Sequence, residues 1–477
     1  MSYSEARYER VPVPEEPPEN RVSGFDEVLH SYTKDEAIME ASRCLQCALP
    51  FCVEACPITQ DCRGYIGLVA GGEFDAAAHL TLLENPLATT LCKVCYHYCE
   101  DACIMGHRGI PIAIRHLKRA ALEFGNSNLV YVPAAPRNQR IAVIGAGPAG
   151  LMAAWELGLR GYAVTVFEKL KVIGGQAEAI PHYRMPGSEL LQDLERFKRL
   201  DLTFVAGKTA GVDYTPESLL AEGYRAVYIA VGASKPGSPG IPGEDLKGVI
   251  YALDFLLDIN EDKIAQLGKN IVVVGGGDVA VDSVRSAVRL APGAKVSMAY
   301  RRTKDEAPAG HEEIHEAEPE GIEFYWLRSP IKILGTDHVE GVVFEKMELA
   351  QPDASGRRAV VPIPGQFETI PCDTVIMAIG QVADLTGFPK ELELKIGSKG
   401  WPEGSRPDTM TAVEGVFASG GRSVVHAMAA GTRAAEAIDA WLRAKEGKPP
   451  APRPDPFGGP TPPPRVPPGY SWPVWKP

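Results

Sequence analysis

Nine of the ten cysteines lie between residues 44 and 103, in a spacing that suits metal ligation. The first set is Cys44-x2-Cys47-x4-Cys52-x3-Cys56-Pro57, and the second is Cys95-x3-Cys99-x3-Cys103, with Cys92 just ahead of it. Thiolates at this density favour iron–sulfur clusters or zinc. Because the sets are unequal and the first ends in Cys-Pro, the pattern indicates iron–sulfur clusters rather than a zinc ribbon. Plain free thiols are the remaining alternative.

The order of the cysteines predicts how they divide between two clusters. In two-cluster ferredoxin patterns, the last cysteine of a run binds the other cluster. One cluster would be held by three cysteines of the first set, Cys44, Cys47 and Cys52, and completed by a distant cysteine. The other would be held by Cys56 together with the later pair at positions 95 and 99.

The stretch "RIAVIGAGPAGLMAAWEL" predicts a strand, a glycine turn and an apolar helix. Gly145 permits the tight turn, Gly147 lets a pyrophosphate approach the backbone, and Gly150 lets the helix pack closely on the strand. The start of the helix offers N–H donors to the phosphates. Glu168 ends the next strand and would accept hydrogen bonds from ribose hydroxyls. A tight turn without a ligand is the alternative.

A second unit of this kind begins at "NIVVVGGGDVAVDS", where Gly275, Gly277 and Ala280 occupy the three turn positions. Its second strand, "KVSMAY", ends in Arg301 and Arg302 instead of an acid. Guanidinium groups at this place suit a 2′-phosphate, so the sequence favours NADP(H) over NAD(H). The alternative is that both arginines pair with the glutamates at 306, 312 and 313, which would leave NAD(H).

The segment "HEEIH", from His311 to His315, matches a zinc-protease pattern if it is helical. A catalytic zinc needs a third protein ligand, and none follows at the usual spacing. The surrounding "GHEEIHEAEPEG" fits an acidic, solvated helix on the nucleotide domain equally well. We therefore expect no metalloprotease site here.

More than one domain must position these motifs, because 477 residues are too many for one ordinary core. The net charge of -12 argues against nucleic acid and anionic membranes as partners. The N-terminus lacks the apolar segment of a signal peptide, and no run of about eighteen apolar residues exists to span a bilayer. These features predict a cytoplasmic protein, in which clustered cysteines serve as metal ligands rather than disulfides.

The last 29 residues contain 13 prolines, a composition that excludes helix and central strand. A loose tail is one interpretation. In the other, the tail lies along a partner subunit through its aromatic residues, Phe457, Tyr470, Trp472 and Trp475.

From about residue 25 to 445, the order of motifs resembles the small subunit of glutamate synthase and the N-terminal half of dihydropyrimidine dehydrogenase. The segments that carry the resemblance are "ARCLQCALPFCVEACP", "KVCYHYCEDACIMG", "IAVIGAGPAGLMAAWEL", "FEKLKVIGGQAEAIPHYRMP", "IVVVGGGDVAVDSVRSAVRL", "YRRTKDEAPAGHEEIHEAEPEGI" and "DTVIMAIGQ". The implied fold class is α/β, with two Rossmann-like domains preceded by an α-helical iron–sulfur domain. In this arrangement the FAD domain is interrupted by the NAD(P)H domain.

The resemblance implies the following divisions of the chain: an N-terminal arm at 1–22, a helical domain with two 4Fe-4S clusters at 23–125, the first part of an FAD domain at 138–250, an NAD(P)H domain at 251–371, the second part of the FAD domain at 372–445 and a Pro-rich tail at 446–477.

It also implies the site residues. Those on the flavin side are Gly145, Gly147, Pro148, Ala149, Gly150, Glu168, Gly175, Gln176, Arg184, Gly420, Gly421, Val424 and Val425. Those for the pyridine nucleotide are Gly275, Gly277, Asp278, Val279, Ala280, Arg301 and Arg302. Gly232 and Gly380 complete the cofactor-binding set. One cluster would be held by Cys44, Cys47, Cys52 and Cys103, and three corners of the other by Cys56, Cys95 and Cys99.

The sequence departs from the family pattern in two places. Lys118 stands where the family often has a Gln or Glu ligand to the second cluster, and an ammonium cannot ligate iron. Cys92, Cys62 and His116 are the possible substitutes, and we favour Cys92 because thiolate is the usual ligand. The second departure is Gly421, which stands where an Asp that contacts the ribityl chain is expected. The helix that starts near "SVVHAMAAG" can still direct its dipole to the flavin.

The implied function is electron relay. A hydride passes between NAD(P)H and FAD, and single electrons pass through the clusters to or from a larger oxidoreductase subunit or a ferredoxin. No catalytic nucleophile is expected. The alternatives are a non-catalytic scaffold with a degenerate flavin site and a thioredoxin-reductase-like enzyme. The latter needs a redox Cys-x-x-Cys beside the second glycine turn, and that stretch has none.

Overall fold

The computed structural model describes residues 9–126, 129–263, 266–352, 358–397 and 400–457. Its N-terminal region is built from helices, which are Pro18–Arg21, Lys34–Ala41, Phe51–Glu54, Cys62–Ala70, Phe74–Glu84, Ala88–Val94, Tyr98–Asp101 and Ile114–Phe124. Local signals start two of them. A capping box between Thr33 and Glu36 begins one, and the Asp61 carboxylate accepts the Gly64 N–H at 2.9 Å at the start of another. Their apolar faces share one core, which also contacts the cysteine loops.

A first five-stranded parallel sheet follows. Its strands, in spatial order, are Val416–Ala418, Tyr224–Ile229, Arg140–Ile144, Ala163–Phe167 and Leu202–Val205. The accompanying helices are Pro148–Leu159, Gly187–Phe197, Pro216–Ala221 and Val424–Lys445. A Cβ on Gly431 would lie 2.2 Å from the Ala149 carbonyl oxygen, so this glycine allows two of the helices to touch. Because residues 416–445 complete a subdomain begun near residue 140, the predicted interruption is confirmed.

The second sheet also has five parallel strands. In spatial order they are Val249–Tyr251, Thr374–Met377, Asn270–Val274, Lys295–Tyr300 and Glu323–Trp326. The helices of this subdomain are Ala252–Asn260, Asp278–Leu290 and His311–Ala317. Burial on both faces explains the continuous β-branched run "NIVVV". The predicted boundary at 371/372 cuts this sheet, since Thr374–Met377 pairs with Asn270–Val274 and the chain leaves the subdomain after that strand.

An antiparallel three-stranded sheet extends the second subdomain, with strands Arg328–Gly335, Val339–Pro352 and Arg358–Pro371. Two short ribbons complete the strands, Lys235–Pro236 with Gln381–Val382 and Lys395–Ile396 with Pro402–Glu403. Among the described residues, none of the helices combines the length and hydrophobicity that crossing a bilayer requires.

The described part of the N-terminal arm lies against the helical domain. The buried Val11 donates its N–H to Glu40 at 2.9 Å, and its carbonyl accepts the Tyr32 hydroxyl at 2.6 Å. Arg10 pairs with the buried Glu100 at 3.1 Å. The arm therefore packs on the helical domain from Arg10 onward.

The segment 446–457 also packs on its own chain. Arg453 donates to the Leu83 carbonyl at 2.8 Å and to the buried Glu156 at 2.7 Å. The Phe457 ring stacks on Tyr131 with centroids 5.2 Å apart. The loose-tail interpretation is thus wrong for Phe457, which packs on apolar surface of its own chain, while docking of the tail on a partner subunit stays a prediction. The other aromatic candidates, at positions 470, 472 and 475, lie outside the described residues.

Candidate functional site

The first glycine turn has the geometry that its three glycines predict. Gly145 has φ of 107°, and Gly150 lies so close to the turn that an added Cβ would be 1.8 Å from the Gly145 carbonyl oxygen. The buried Glu168 carboxylate accepts the Ala146 N–H at 2.7 Å and the Leu170 N–H at 2.8 Å. The acid is therefore fixed beside the turn, where a ribose would lie above the start of the helix Pro148–Leu159.

A second glycine segment meets this turn. Gly175 has φ of 59°, and a Cβ there would be 2.7 Å from the Gly147 Cα. The side-chain amide of Gln176 donates to the Ala233 carbonyl and, at 2.8 Å, to the Gln381 amide oxygen. Gly147 and Gly175 thus bring two bare backbones together, which suits a bulky flavin nucleotide.

A cleft of about 500 Å³ lies over the second glycine turn. Its lining includes the turn at 275–279, the neighbouring Gly380 and Gln381, and the end of the strand Lys295–Tyr300. Gly275 has φ of 154°, and a Cβ on Gly276 would be 2.4 Å from the Tyr300 ring. Gln381 also accepts a hydrogen bond from the side-chain amide of Gln176. The cleft is therefore next to the glycine segment that contacts the first glycine turn. Ala280, in contrast, is fully buried in the core beneath the turn.

The arginines predicted to read a 2′-phosphate differ in position. Arg301 lines the cleft, whereas Arg302 is not part of the lining and its buried Nε has no hydrogen-bond partner among the described residues. The sequence did not identify a third guanidinium there, that of Arg328. Arg328 donates from Nε to Glu368 at 2.7 Å and is held in place by it. The available signal was a basic residue directly after the neighbouring strand, Glu323–Trp326.

The glutamates that could have neutralised Arg301 and Arg302 have other partners. Glu312 accepts from Arg115 at 2.9 Å, and Glu313 pairs with Arg184 at 3.0 Å. The carboxylate of the third, at position 306, accepts the Thr303 hydroxyl. These contacts do not support the alternative in which the arginines are neutralised.

The carboxyl group of Asp278 lies at the start of the helix Asp278–Leu290 and lines the cleft. It accepts the Gly310 N–H at 3.0 Å. Burial, followed by the nearby charges of Asp282 and Glu313, raises its pKa to about 7. A titratable acid therefore faces the nucleotide cleft, beside Val279, which lines it as well.

Arg184, predicted near the flavin ring, is held by acids of the second subdomain. Its guanidinium donates to both Asp282 oxygens at 2.8 and 2.7 Å and pairs with Glu313. Although burial opposes it, the charge of these carboxylates raises the pKa of Arg184. Its charge is thus already balanced within the protein.

The C-terminal flavin segment has no room for the family's Asp. A Cβ on Gly421 would be 2.3 Å from the Ala427 nitrogen, and one on Gly420 would be 2.8 Å from the Trp401 Cβ. Ser423 caps the helix Val424–Lys445, and its hydroxyl lies 2.9 Å from His426 Nδ1. Neighbouring atoms therefore leave no space for a side chain at either glycine. Val424 and the buried Val425 pack towards the helical domain.

The first group of cysteines assembles as predicted from its spacing and from the resemblance. The strongest sulfur neighbours of Cys44 are the other three members of the predicted set, Cys47, Cys52 and Cys103. All four line one small pocket together with Pro50 and Phe51. Leu49 and Phe51 beside it are 68% and 44% exposed, so this group lies near the surface.

The second group surrounds Lys118. The sulfurs whose charges act on this buried ammonium are those of Cys56, Cys92, Cys95 and Cys99. They are the three implied ligands together with Cys92, which we favoured as the fourth. Cys62, one of the alternatives, is buried between the groups, within hydrogen-bond reach of Cys52 and Cys99 and close to Cys56 as well. His116, the other alternative for the fourth ligand, packs edge-on against Tyr32, with the two ring centroids 6.1 Å apart.

These residues fit iron–sulfur clusters. A buried lysine needs an anionic neighbour, and thiolates that bind metal supply one. In the described ranges, no three His, Cys, Asp or Glu side chains converge tightly enough to share one metal ion. A four-iron cluster, with a thiolate on each corner, needs a wider spacing than a single ion does.

The helix His311–Ala317 forms, but the expectation of a solvated helix is wrong. Glu313 and Glu316 are buried and face Arg285, whose Nη1 lies 3.2 and 2.9 Å from their carboxylate oxygens. Glu320 pairs with the same arginine at 2.8 Å. The acidic residues face inward because a buried arginine of the neighbouring helix requires them, whereas His315 is exposed.

Two family profiles match the chain. Residues 21–129 match dihydropyrimidine dehydrogenase domain II, 4Fe-4S cluster, and residues 139–437 match pyridine nucleotide-disulphide oxidoreductase. The solved structure of Mycobacterium tuberculosis FprA in complex with NADPH shares the fold, with a TM-score of 0.55, 22% identity, and coverage of 65% of this chain and 86% of FprA. The predicted fold class is therefore confirmed.

Curated relatives are similar over most of the chain. The NADP(+)-dependent formate dehydrogenase subunit beta of Moorella thermoacetica is 38% identical over 82% of this chain and 60% of its own length. The small chain of NADPH glutamate synthase from Halomonas elongata is 31% identical over 89% of this chain and 95% of its own length. The chain thus spans less than two thirds of the first relative and nearly all of the second. It belongs to the pyridine nucleotide-disulphide oxidoreductase family, in the branch that carries an N-terminal 4Fe-4S domain and includes the glutamate synthase small chain.

Proposed function

We propose that this chain is an electron-transfer subunit that binds FAD, NADP(H) and two 4Fe-4S clusters and exchanges electrons with a partner oxidoreductase. The observation that carries the proposal is a spatial order. Gln381 of the nucleotide cleft contacts Gln176 beside the first glycine turn, and Cys95 of the group near Lys118 packs with the helices that border this turn. Cys62 lies within hydrogen-bond reach of one cysteine of each group, Cys99 and Cys52. Such an order suits a chain of redox centres.

The contact between Gln176 and Gln381 supports the first step. Gln381 lines the nucleotide cleft, and Gln176 belongs to the glycine segment beside the first turn. Residues of the two sites therefore touch, so a nicotinamide and a flavin held by them would be neighbours. When bound, the flavin converts the two-electron chemistry of the nicotinamide into the one-electron chemistry of the clusters. The side chains bind and orient, and none is required as a nucleophile.

Contacts between the helical domain and the flavin subdomain support the second step. Cys95 and Tyr98 pack in one apolar cluster with Leu151, Met152 and Val425 of the helices that border the first glycine turn. The Tyr98 ring meets His426 edge-on at 5.1 Å. The group around Lys118 is therefore the one nearer to the flavin side, and its dry, packed surroundings would exclude water from the path.

The exposed position of the first group supports the third step. Its pocket is lined by the exposed Phe51, and the exposed Leu49 is only two residues away in the sequence, so electrons could leave or enter there. The relatives are named as a beta subunit and a small chain, which supports a partner subunit for this protein as well. We propose a larger oxidoreductase subunit as that partner, with either direction of flow.

NADP(H) is proposed over NAD(H) because Arg301 and Arg328 both line the cleft. Within the part of the chain that the structure describes, a carboxylate offsets only Arg328, which pairs with Glu368. A dianionic 2′-phosphate would find a guanidinium without a competing acid in Arg301.

Anaerobic purification followed by cofactor analysis tests the proposal. We expect one FAD, about eight iron and about eight sulfide per chain. We also expect bleaching of the flavin and cluster absorbance on addition of NADPH. Protein that stays colourless after reconstitution with FAD, iron and sulfide would favour the scaffold hypothesis instead.

A further inference from the structure

Lys118 is a buried cation without a carboxylate partner. Its side chain lies on the helix Ile114–Phe124 and is 6% exposed. In the described ranges it forms no ion pair with Asp or Glu. Its helix packs against the helices Ala88–Val94 and Tyr98–Asp101, which carry Cys92 and Cys99. The largest charge interactions on the ammonium are those of Cys56, Cys92, Cys95 and Cys99. An ammonium in such surroundings is very costly unless an anion faces it.

Neighbouring basic residues differ in this respect. Lys93, which is 8% exposed, pairs with Glu27 and, at 3.3 Å, with Glu189. Arg119 pairs with Glu27 at 2.9 Å and with Glu123 at 2.6 Å. Carboxylates thus balance these two buried cations, whereas within the described residues no carboxylate pairs with Lys118 and its largest charge interactions are with cysteine sulfurs.

The sulfurs can balance the lysine only when they are ionised. Thiols lose their protons when they bind metal, and a four-iron cluster with four thiolate ligands carries net negative charge. Reduction adds a further negative charge, which a nearby cation stabilises more than it stabilises the oxidised cluster. A fixed cation therefore makes the cluster easier to reduce.

We propose that the Lys118 ammonium is the built-in counter-charge of the second cluster and raises its reduction potential. This inference rests on the proposed function, in which the four sulfurs around Lys118 hold a cluster. It also gives a positive role to a residue that cannot serve as the ligand found there in relatives. A more easily reduced cluster next to the flavin would accept electrons readily.

Three variants of the full-length protein test the inference: Lys118→Met, which removes the charge, Lys118→Arg, which retains it, and Lys93→Met, which removes a balanced buried charge. Iron and sulfide are quantified, and each cluster is followed by electron paramagnetic resonance during an anaerobic redox titration. For Lys118→Met we expect full iron content and a reduction equilibrium of one cluster at least tenfold less favourable, which is 59 mV for one electron.

The other cluster of Lys118→Met should keep its potential. Lys118→Arg should resemble the wild type, and Lys93→Met should shift the same cluster several-fold less than Lys118→Met. An unchanged potential in Lys118→Met, or an equal shift in Lys93→Met, would overturn the inference.

If the second cluster does not assemble in Lys118→Met, the result for Lys118→Arg decides whether the inference stands. Full iron and a wild-type potential in Lys118→Arg support the charge role, whereas iron loss in that variant too overturns it. A wild-type protein with only one cluster contradicts the proposed function and removes the inference with it. Iron analysis separates this case from an unchanged potential.

Discussion

Arg115 of the helical domain donates to Glu312 of the second nucleotide subdomain at 2.9 Å. The same guanidinium donates to the carbonyl of Cys95 at 3.2 Å, so one side chain connects the nucleotide subdomain to a predicted cluster ligand. His97, two residues beyond that cysteine, also contacts Glu312, at 3.2 Å. The two subdomains are thus joined by a charged contact next to the second cysteine group.

Replacing Glu312 with Gln should loosen this junction. Burial acts in the opposite direction, but the hydrogen bond from His97 and the charge of Arg115 lower the pKa of Glu312 overall. The contribution of a carboxylate with a lowered pKa is complete at neutral pH and is lost as the pH falls below the usual carboxyl range. We expect the free energy of unfolding to fall by about 1 kcal/mol, seen as a melting temperature about 1 °C lower at pH 7.

The matched control for Glu312→Gln is Glu318→Gln. Glu318 pairs with Lys304 at 2.6 Å, and both side chains are substantially exposed, so no measurable change in melting temperature is expected. Equal effects of the two variants would show that the junction adds nothing beyond a surface ion pair.

Replacing Arg301 with Ala should weaken the binding of NADPH more than the binding of NADH. Arg301 lines the cleft and Arg302 does not, so the single variant should account for most of the effect of the double variant Arg301→Ala/Arg302→Ala. Loss of a charge-assisted contact to the 2′-phosphate predicts a rise of about tenfold or more in the Michaelis constant for NADPH. Steady-state dye reduction with each nucleotide measures it. An equal rise for NADPH and NADH would contradict the assignment.

The acid in the second glycine turn predicts a pH dependence of nucleotide binding. The pKa of Asp278 is about 7, chiefly because the group is buried, so the carboxyl is neutral below that pH and negative above it. A negative charge there repels the pyrophosphate. We therefore expect the dissociation constant for NADPH to increase as the pH rises from 6 to 8. Fluorescence titration can measure it, and Asp278→Asn should remove this increase.

Iron content can distinguish the two buried cysteines considered for the fourth corner. Cys92 is among the four sulfurs that surround Lys118, whereas Cys62 contacts Cys52 and Cys99 from between the groups. We expect Cys92→Ala to lose about half of the iron and Cys62→Ala to keep nearly all of it. The opposite result would assign the ligand to Cys62.

Features fixed by a few adjacent residues could be predicted from the sequence. The turn at Gly145 to Gly150 and the acid Glu168 depend on one strand, one helix and the next strand, and the fold class follows from them. The grouping of Cys44, Cys47 and Cys52 could be predicted as well, because ligand spacing reflects the geometry of a metal site. The role of both sets as cluster ligands stays a prediction.

What could not be predicted depends on contacts between distant segments. Nothing near Glu313 in the sequence indicates that Arg285 and Arg184 will bury it, so the helix His311–Ala317 was expected to be solvated. Arg328 lines the nucleotide cleft because of the spatial order of the strands in the second sheet, which local sequence does not reveal. Phe457 meets Tyr131 across more than three hundred residues.

The packing of residues 446–457 has a practical consequence for building chimeras. Arg453 donates both to Leu83 of the helical domain and to Glu156 of the subdomain that contains the first glycine turn. Residues 446–457 therefore connect two modules that are consecutive in the sequence. Transplanting the helical domain alone into a relative would leave the Leu83 carbonyl without Arg453 and expose the apolar surface under Phe457. Chimeras that receive the helical domain should therefore also receive residues 446–457.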